Sequence, residues 1–461
     1  MKALRDPDCL LSEGLAAIRG QFKVPASFPP AVLEAAEAAA QRAPADHVDR
    51  TAVPFVTLDP ASSTDLDQAF AIEAAGADLL LHYAIADVAW FVSDGDALDR
   101  EAWARGETTY LPDGKAGLYP PALAERAASL LNDGPRPAVV FTTRVAPDGA
   151  VRLEGVERAV VRSRAKLGYE AVRDDQLPAG FVDLADRIAQ AEDRRGAARV
   201  DPPEQEVERD DAGHYTLRFR PLAPAERRNA ALSLATNMAV ADALLAAKTG
   251  LFRVMAAPDA AAVARLRHTA RAFGLDWPKQ ASLEQFERTL DPAIAAQGAF
   301  MLAIRRAGNG AGYVPWQEGV TPWHAAMAAT YCHMTAPLRR LADRYVVRAA
   351  LAVANGQAVP AEVADAFQRL GPVMDKAGAR GAQVERAVID LAETAILHGQ
   401  EGKSFAAVVT DVGESGTRIQ LCDLPVVART TARSVTPGER ITVRLDRADP
   451  IRRELGFSRI A

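Results

Sequence analysis

Residues 55–70, FVTLDPASSTDLDQAF, place the carboxylates of Asp59, Asp65 and Asp67 within nine residues. The residues before them alternate as in a strand, Pro60 and the serines that follow predict a loop, and apolar residues resume afterwards. In a cleft of low effective dielectric, each close carboxylate pair repels by roughly a few kcal/mol unless a cation lies between the groups. The stretch therefore indicates either a divalent metal site or a polar surface turn, since Asp, Ser and Pro are ordinary loop residues.

The metal that such a cluster would prefer follows from its ligands. Carboxylate oxygens favour Mg²⁺ or Mn²⁺, and no Cys/His pair at zinc spacing competes with them. The sequence has three cysteines, an odd number, and they are far apart along the chain: Cys9, Cys332 and Cys422. This argues against both a disulfide framework and a thiolate metal site.

Length and composition indicate a large globular protein. A chain of 461 residues predicts two or three domains. With 49% hydrophobic and 25% charged residues, it is neither disordered nor equipped with an apolar run long enough to span a bilayer. The first residues, MKALRDPDCLL, lack the apolar core of a signal peptide, so a cytoplasmic location is expected. Because the net charge is −6, any nucleic-acid site must be a local basic channel.

The hydrophobic pattern changes three times along the chain. Residues 1 to about 45 predict short helices, and residues 51 to about 92 predict buried strands. From residue 223 to the late 390s the pattern is mostly helical. Residues 402–461 alternate like four or five short strands, which is consistent with a small barrel of the OB type.

Two hairpins are predicted between these regions. The first spans residues 138–161 around a Pro-Asp-Gly turn. The second lies in EQEVERDDAGHYTLRFRP, with Asp211 and Gly213 in its turn.

Two single residues have two interpretations each. Asp87 interrupts the apolar run LLLHYAIADVAWFV, so it is either a paired structural acid, which we favour, or a catalytic group. Tyr110 lies in the loop TTYLPDG, where it could stack on a base or be an ordinary half-buried tyrosine.

The stretch ATYCHMTAPLRRLADRYVVRAALA is the second informative one. Thr335 and Pro337 predict the start of a helix. Arg340, Arg344 and Arg348 follow at i, i+4 and i+8 and would form one basic stripe. Such a stripe is either a solvated helix face or, near a helix N-terminus, a phosphate-binding surface.

Together these stretches resemble the RNase II and RNase R exoribonuclease family over about residues 46–400. The similar stretches occur in the order of the family: TLDPASSTDLDQA, AIADVAWFV, TYLPDG, SRAKLGYEAV, HMTAPLRRLADR and QVERAVIDL. The resemblance implies an α+β multidomain fold, in which a mixed sheet is surrounded by helices. Residues 1–45 would be a small N-terminal helical module, residues 46–400 the RNB-type catalytic domain, and residues 401–461 an OB-fold barrel that binds RNA.

The resemblance also implies roles for individual residues. Asp59, Asp65 and Asp67 would hold Mg²⁺, for which Mn²⁺ could substitute, and would orient the attacking water, with Asp67 the most critical. Arg339 would contact the phosphate at the cleavage point. The remaining contacts to RNA would come from Tyr110, Tyr169, Glu385, Arg340 and Arg344. Single-stranded RNA would be degraded processively from its 3′ end to nucleoside 5′-monophosphates, without a membrane or a nucleotide cofactor.

The sequence departs from the family pattern at several positions. Gln68 stands where a fourth acid is usual; an amide can coordinate a metal but adds no charge. No aromatic residue occurs near Gln205 and Glu206, where the family has a clamp for stacked bases. Val347 replaces a common His, and the helix around Asn237 lacks the usual acids. The first 45 residues are also too few for the paired cold-shock barrels of the family.

The similar stretches and these departures lead to three hypotheses. The leading one is a metal-dependent 3′-to-5′ exoribonuclease. The alternative is a catalytically weakened RNA-binding scaffold of the same fold, suggested by Gln68. A third is a phosphodiesterase that acts on small nucleotides or DNA.

Overall fold

The structure is a computed structural model. It describes residues 2–4, 10–198, 204–210, 213–220, 222–291, 294–308, 310–413, 416–432 and 434–460. The strands, in chain order, are β1 (Lys2–Leu4), β2 (Val48–Asp49), β3 (Phe55–Asp59), β4 (Gln68–Ala75), β5 (Asp78–Ala86), β6 (Thr109–Leu111), β7 (Gly114–Ala116), β8 (Arg136–Val145), β9 (Val151–Val161), β10 (Ser163–Gly168), β11 (Glu204–Arg209), β12 (Tyr215–Arg220), β13 (Leu251–Val254), β14 (Gly312–Pro315), β15 (Trp323–His324), β16 (Ala329–Thr330), β17 (Ser404–Gly413), β18 (Gly416–Leu421), β19 (Val427–Thr430), β20 (Arg440–Asp449) and β21 (Glu454–Arg459).

The α-helices among the described residues differ widely in length. In chain order they are α1 (Leu10–Gln21), α2 (Pro30–Ala40), α3 (Val88–Phe91), α4 (Ala97–Arg105), α5 (Phe181–Arg195), α6 (Pro224–Ala246), α7 (Ala260–Ala272), α8 (Leu283–Glu287), α9 (Ala295–Ala307), α10 (Leu341–Ala354) and α11 (Ala361–Leu397). Leu123–Ala127 forms a π-helical turn and Asp174–Gln176 a 3-10 turn.

A mixed seven-stranded sheet forms the centre of the fold, in the order β10-β3-β4-β5-β8-β9-β2. The β10–β3 and β2–β9 pairs are parallel and the others antiparallel. The predicted hairpin of β8 and β9 is confirmed. Its turn needs Gly149, because φ is +72° there and a Cβ atom would lie 2.3 Å from the carbonyl oxygen of Arg187. The sheet contains both parallel and antiparallel pairs, and helices pack against it. The predicted mixed sheet with surrounding helices is confirmed.

Helix α6 packs against this sheet. It contacts β9, β8 and β3 on one side and helices α5 and α10 on others. By length and composition α6 could cross a membrane, but 56% of its most apolar window is buried inside the protein. It is therefore the core helix of the domain.

The two N-terminal helices are present as predicted, but they do not share a core. Leu11, Leu15 and Ile18 of α1 join a core formed by α11 and the C-terminal barrel. Val32 and Ala36 of α2 join the core of the central sheet. Strand β1 pairs with β12 and completes a three-stranded sheet with β11. Helix α1 therefore packs with α11 and the barrel, and helix α2 packs with the central sheet.

The β11–β12 hairpin is confirmed, with Gly213 at a φ of +83°. Asp211, which was predicted in the same turn, lies outside the described residues.

Asp87 is a paired structural acid, the interpretation that the sequence favoured. It caps α3 by accepting a hydrogen bond from the Trp90 N–H and pairs with His47 at 3.2 Å and Arg158 at 3.0 Å.

The C-terminal residues form the predicted barrel. Strands β17-β18-β19-β21-β20 close on themselves. Phe457 is only 2% exposed and packs edge-to-face against Phe405, with 6.3 Å between ring centroids. Phe457 therefore belongs to the barrel core, and this pair does not form an exposed platform for stacked bases.

Helix α10 starts later than predicted. It begins at Leu341, because Arg340 before it has extended backbone angles, with φ of −131° and ψ of 123°. In the turn that precedes it, the N–H of Ala336 donates to Asp343 and that of Leu338 donates to Asp67. Pro337 therefore lies in a turn before the helix.

The prediction of one exposed basic stripe on α10 is wrong. Arg344 is 1% exposed and donates to Asp99 and to the hydroxyl of Tyr345. Arg348 pairs with Asp94 at 2.6 Å. A buried guanidinium must have its own carboxylate, so Arg344 is a structural residue and is not available to contact RNA.

Removing the carboxylate of Asp99 should destabilise the protein strongly. Asp99→Ala leaves Arg344 buried and unpaired, which costs about 3–5 kcal/mol of unfolding free energy. Asp94→Ala is the matched control, because the Asp94–Arg348 pair is partly exposed and contributes at most about 1 kcal/mol. Urea unfolding measures both changes. Equal losses of stability in the two variants would contradict the structural role of Arg344.

Candidate active site

The three aspartates surround the loop that joins β3 to β4. β3 ends at Asp59 and β4 begins at Gln68, and these neighbouring antiparallel strands bring the two ends of the loop together at one edge of the sheet. β10 lies on the other side of β3, with Gly168 beside Asp59. The N–H of Tyr169, the next residue, donates to the carbonyl oxygen of Asp59 at 3.2 Å. The sheet thus positions both Asp59 and Tyr169.

Asp67 connects the sheet to the segment before α10. Its side chain is 2% exposed; Oδ1 accepts the N–H of Leu338 at 2.7 Å, and Oδ2 accepts Nε of Arg339 at 3.0 Å. The Arg339 side chain is nevertheless 40% exposed. The buried carboxylate therefore orients a guanidinium that can still reach a ligand.

Two further buried side chains hold the segment of residues 334–340. Asn237 accepts the N–H of Met334 at 3.1 Å through Oδ1. Asp343 accepts the N–H of Ala336 at 2.8 Å and pairs with Arg340 at 2.7 Å. Neither role is visible in a local sequence pattern. Asn237, noted in the sequence only as a departure from the usual acids, supplies a side-chain acceptor for the N–H of Met334.

Tyr110 is held next to Arg339 by backbone pairing. The N–H of Thr108 donates to the carbonyl oxygen of Arg339 at 2.9 Å. Tyr110 follows in β6, is 53% exposed, and donates through its hydroxyl to Oδ2 of Asp65 at 3.4 Å. Its exposed ring and long hydrogen bond leave it free to contact a ligand.

Lys115 is a site residue that the sequence reasoning missed. It lies opposite Tyr110 in the β6–β7 ladder, and its Nζ is 2.8 Å from Oδ1 of Asp65 and 3.1 Å from Glu125. The Asp-Gly turn at residues 113–114, flanked by short strands, is a hairpin signal that would have placed Lys115 across from Tyr110.

A cavity of about 620 Å³ lies beside these residues. Its walls come from β6, from β11, from the segment before α10 and from α11. It is lined by Tyr110, Arg339, Arg340 and Glu385 among the predicted residues, and by Gln205 and Glu206 at the position of the missing clamp. The nearby Gln205 amide donates to Glu393 at 2.6 Å and to the carbonyl oxygen of Pro425 at 2.9 Å. Gln205 thus links β11 to α11 and the barrel at the position where the resemblance implied an aromatic clamp.

Tyr169 belongs to a hydrogen-bonded network next to Asp59. Its hydroxyl accepts Nδ2 of Asn229 at 3.0 Å, and the same amide donates to the carbonyl oxygen of Leu58 at 3.2 Å. The ring is thereby fixed beside the acidic loop.

Gln68 does not present a free oxygen. Its Oε1 accepts hydrogen bonds from the hydroxyls of Tyr83 and Ser233, the latter at 3.1 Å. A carbonyl oxygen has two lone pairs, and both are used here. A metal at Gln68 would therefore have to replace these hydrogen bonds, and metal binding by Gln68 stays a prediction.

The buried carboxylates of the acidic loop are costly to ionise. Burial raises the pKa of Asp59 to about 7, although the charge of Arg339 opposes this. Burial likewise raises the pKa of Asp67 to about 7, against Arg339 and the N–H of Leu338. The charge of Asp65 raises both pKa values further. A cation bound at this site would therefore stabilise the ionised forms of these carboxyl groups.

The donor chemistry fits a hard divalent cation, since Asp59, Asp65 and Asp67 offer carboxylate oxygens. Their arrangement is not that of a complete metal site: within the described ranges, no three His, Cys, Asp or Glu side chains are grouped so that they could hold a metal ion. Instead, Asp67 pairs with Arg339 and Asp65 with Lys115. Cation binding would therefore have to compete with these two ion pairs.

Comparison with known proteins assigns the chain to a family. Residues 47–355 match the RNB domain. The chain belongs to the RNB family. Residues 403–460 match the RNase II-type exonuclease C-terminal S1 domain, which corresponds to the barrel.

Individual relatives of this RNB-family chain agree. Ribonuclease R of Aquifex aeolicus (strain VF5) is 26% identical over 435 residues, covering 87% of this chain and 60% of that protein. Exoribonuclease 2 of Salmonella paratyphi B (strain ATCC BAA-1250 / SPB7) is 28% identical over 408 residues, covering 82% of this chain and 62% of that protein. The chain therefore spans about three fifths of the length of these relatives.

A solved structure shows the same fold. Mycoplasma genitalium RNase R in complex with ribose methylated single-stranded RNA superposes with a TM-score of 0.85 at 20% identity, covering 98% of this chain and 78% of that one.

The raised pKa of Asp67 predicts a pH effect on stability. Because the folded-state pKa is about 7 and the ordinary value for the unfolded chain is 3.8, the protonated carboxyl stabilises the fold fully below about pH 4. This stabilisation is lost as the pH rises through about 7. Asn stays neutral, so without divalent cations the melting temperature of Asp67→Asn minus that of the wild type should increase between about pH 5 and 8. A difference that stays constant or decreases would show that Asp67 is ionised throughout.

Proposed function

We propose that this RNB-family protein is a metal-dependent 3′-to-5′ exoribonuclease that hydrolyses single-stranded RNA to nucleoside 5′-monophosphates. One observation carries the proposal. The exposed guanidinium of Arg339, anchored by Asp67, and the exposed ring of Tyr110, bonded to Asp65, meet at the wall of a cavity of about 620 Å³. The site thereby combines an acidic loop, a guanidinium that can bind phosphate and an aromatic ring that can stack on a base.

The proposal gives each side chain a role that is compatible with its position. Arg339 binds the scissile phosphate and stabilises the charge that develops on its oxygens, since a guanidinium forms charge-assisted hydrogen bonds to phosphate. The ring of Tyr110 stacks on a base. Glu385, which faces the same cavity from α11, accepts hydrogen bonds from the terminal nucleotide. Asp67 would help to hold the cation, and it also positions Arg339.

Asp59, Asp65 and Asp67 would hold the divalent cation, Mg²⁺ or Mn²⁺. When bound, it supplies charge neutralisation at the phosphate and makes water a better nucleophile. The raised pKa values of Asp59 and Asp67 support this assignment, because a cation favours the ionised carboxylates. The names of the relatives, Ribonuclease R and Exoribonuclease 2, support RNA as the substrate.

A 5′-labelled single-stranded RNA tests the reaction. With Mg²⁺ or Mn²⁺ the wild type should produce a ladder that shortens from the 3′ end, and Asp67→Asn should lower the rate by at least about 100-fold, since one transition-state contact is commonly worth that much. Asp446→Asn, in an exposed barrel pair with Arg444, is the matched control and should cut normally. The absence of a ladder with both metals would refute the proposal.

The scaffold hypothesis makes a different prediction for metal binding. Gln68 is used by Tyr83 and Ser233, so the three aspartates are the remaining ligands. Calorimetric titration of Mn²⁺ into the protein should show a site that Asp59→Asn weakens and that Gln68→Ala leaves in place. No carboxylate-dependent site, together with intact RNA binding, would favour a non-catalytic scaffold.

Substitutions of Tyr110 should separate its ring from its hydroxyl. Stacking of an aromatic ring on a base is worth about 1–3 kcal/mol, so Tyr110→Ala should raise the KM for RNA about 5- to 150-fold. Tyr110→Phe keeps the ring and removes only the hydrogen bond of 3.4 Å to Asp65, so its KM should stay within about 3-fold of the wild type. Steady-state kinetics on one oligonucleotide measures both. Equal effects of the two substitutions would contradict a stacking role.

A further inference from the structure

Lys115 lies between two carboxylates at the edge of the acidic loop. Its Nζ is 2.8 Å from Oδ1 of Asp65 and 3.1 Å from Oε1 of Glu125, and its side chain is 23% exposed. Within the described part of the chain, these are its two ion pairs. An ammonium has three N–H donors. One donor is therefore left for an anion that arrives from solvent.

Asp65 is held less firmly than Asp67. The partners given above for Asp65 are the ammonium of Lys115 and the hydroxyl of Tyr110 at 3.4 Å, and both side chains belong to the β6–β7 hairpin. Asp67 instead accepts a hydrogen bond from the backbone N–H of Leu338. Because a lysine ends in a flexible four-carbon stem, its ammonium moves more easily than a backbone amide. Asp65 is therefore the easier of these two carboxylates for a divalent cation to take over.

Glu125 makes such an exchange inexpensive. It lies in the π-helical turn Leu123–Ala127, and its side chain is 30% exposed. A charged group that loses its partner in a poorly solvated place is strongly destabilising. Lys115 keeps Glu125 as a partner when Asp65 turns to a cation. The ammonium can therefore leave Asp65 without becoming unpaired.

The same ammonium lies close to the expected position of the phosphate. Lys115 and Tyr110 are directly opposite each other in the β6–β7 ladder, so their side chains share one face of the hairpin. Burial and the charge of Asp65 raise the pKa of Tyr110, and the charge of Arg339 lowers it. Asp65, Tyr110 and Arg339 thus lie close together. A phosphate that binds Arg339 approaches the carboxylate to which Lys115 is attached.

We propose that Lys115 is a transferable cation of the active site: it pairs with Asp65 while the divalent cation is absent, and it contacts a phosphate oxygen of the substrate once the divalent cation has taken Asp65. The proposal rests on the proposed function, because it takes Asp65 as a ligand of the cation. Divalent cation and phosphate should then strengthen each other's binding, and the coupling must be reciprocal.

Adenosine 5′-monophosphate is a suitable probe, because it is a product of the proposed reaction and carries a phosphate without a bond to be cleaved. Calorimetric titration measures its Kd with and without Mn²⁺, and the Kd of Mn²⁺ alone. Lys115→Met keeps a side chain of similar length and removes the charge. It should tighten the binding of Mn²⁺ alone about 10-fold, since a competing charge-assisted hydrogen bond is gone. It should also reduce the factor by which Mn²⁺ tightens nucleotide binding about 10-fold.

Lys166→Met is the matched control. The Nζ of Lys166 donates to the carbonyl oxygen of Ala61 in the same loop at 2.9 Å, so the variant removes a nearby lysine charge but leaves the Lys115–Asp65 pair in place. Both quantities should change by less than about 3-fold. Adenosine, which lacks the phosphate, should respond to Mn²⁺ equally in the wild type and in Lys115→Met. Melting temperatures show whether the variants are folded.

The outcomes separate this proposal from the proposed function. If Mn²⁺ tightens nucleotide binding equally in the wild type and in Lys115→Met, or not at all in the wild type, the role of Lys115 is overturned and the exoribonuclease proposal is untouched. An equal loss of coupling in Lys166→Met also overturns it, because the effect would then belong to any positive charge near the loop. A wild type that binds no Mn²⁺ overturns both proposals.

Discussion

The two hydrogen bonds that Asp67 accepts, from the N–H of Leu338 and from Nε of Arg339, connect the central sheet to the segment before α10. A carboxylate that is 2% exposed can stay ionised only if such donors surround it. Each hydrogen bond to a charged group contributes about 1.5–3 kcal/mol. Because Thr108 pairs with the Arg339 carbonyl, Tyr110 also takes its place through this connection. The position of the guanidinium, the ring and the cavity wall thus depends on Asp67.

The same burial makes the site electrostatically expensive. Asp59 and Asp67 both have pKa values raised to about 7, and cationic side chains only partly offset their charges. Fully apolar surroundings or complete pairing would be more stable, but neither would leave carboxylate oxygens for a cation or an exposed guanidinium for phosphate. The loop between β3 and β4 is therefore where groups needed for function cost stability. Arg344 and Asp99 are residues of the same types, but they pair with each other and only support the fold.

The sequence predicted the fold well where local patterns determine it. Hydrophobic alternation and turn residues predicted the β8–β9 hairpin and the barrel, and the spacing of the aspartates predicted the acidic loop. It failed where long-range packing decides. Helical spacing places Arg344 on a face of α10, but only the tertiary structure brings Asp99 against that face. The start of α10 was misplaced as well, because Arg340 has extended backbone angles that the Thr-Ala-Pro pattern does not indicate. Gln68 accepts hydrogen bonds from Tyr83 of β5 and Ser233 of α6, and no local pattern reveals these partners. The hairpin signal could have placed Lys115 opposite Tyr110, but it does not reveal the ion pair of Lys115 with Asp65.

Hydrogen–deuterium exchange of the peptide that covers residues 334–340 tests most directly whether Asp67 organises the site. Asp67→Ala removes the acceptor of the Leu338 N–H, so exchange in this peptide should accelerate relative to the wild type. Asp67→Asn retains an oxygen acceptor and should keep most of the protection while removing the charge that binds Arg339. If the peptide exchanges equally slowly in the wild type and in Asp67→Ala, Asp67 does not hold this segment and the account is contradicted.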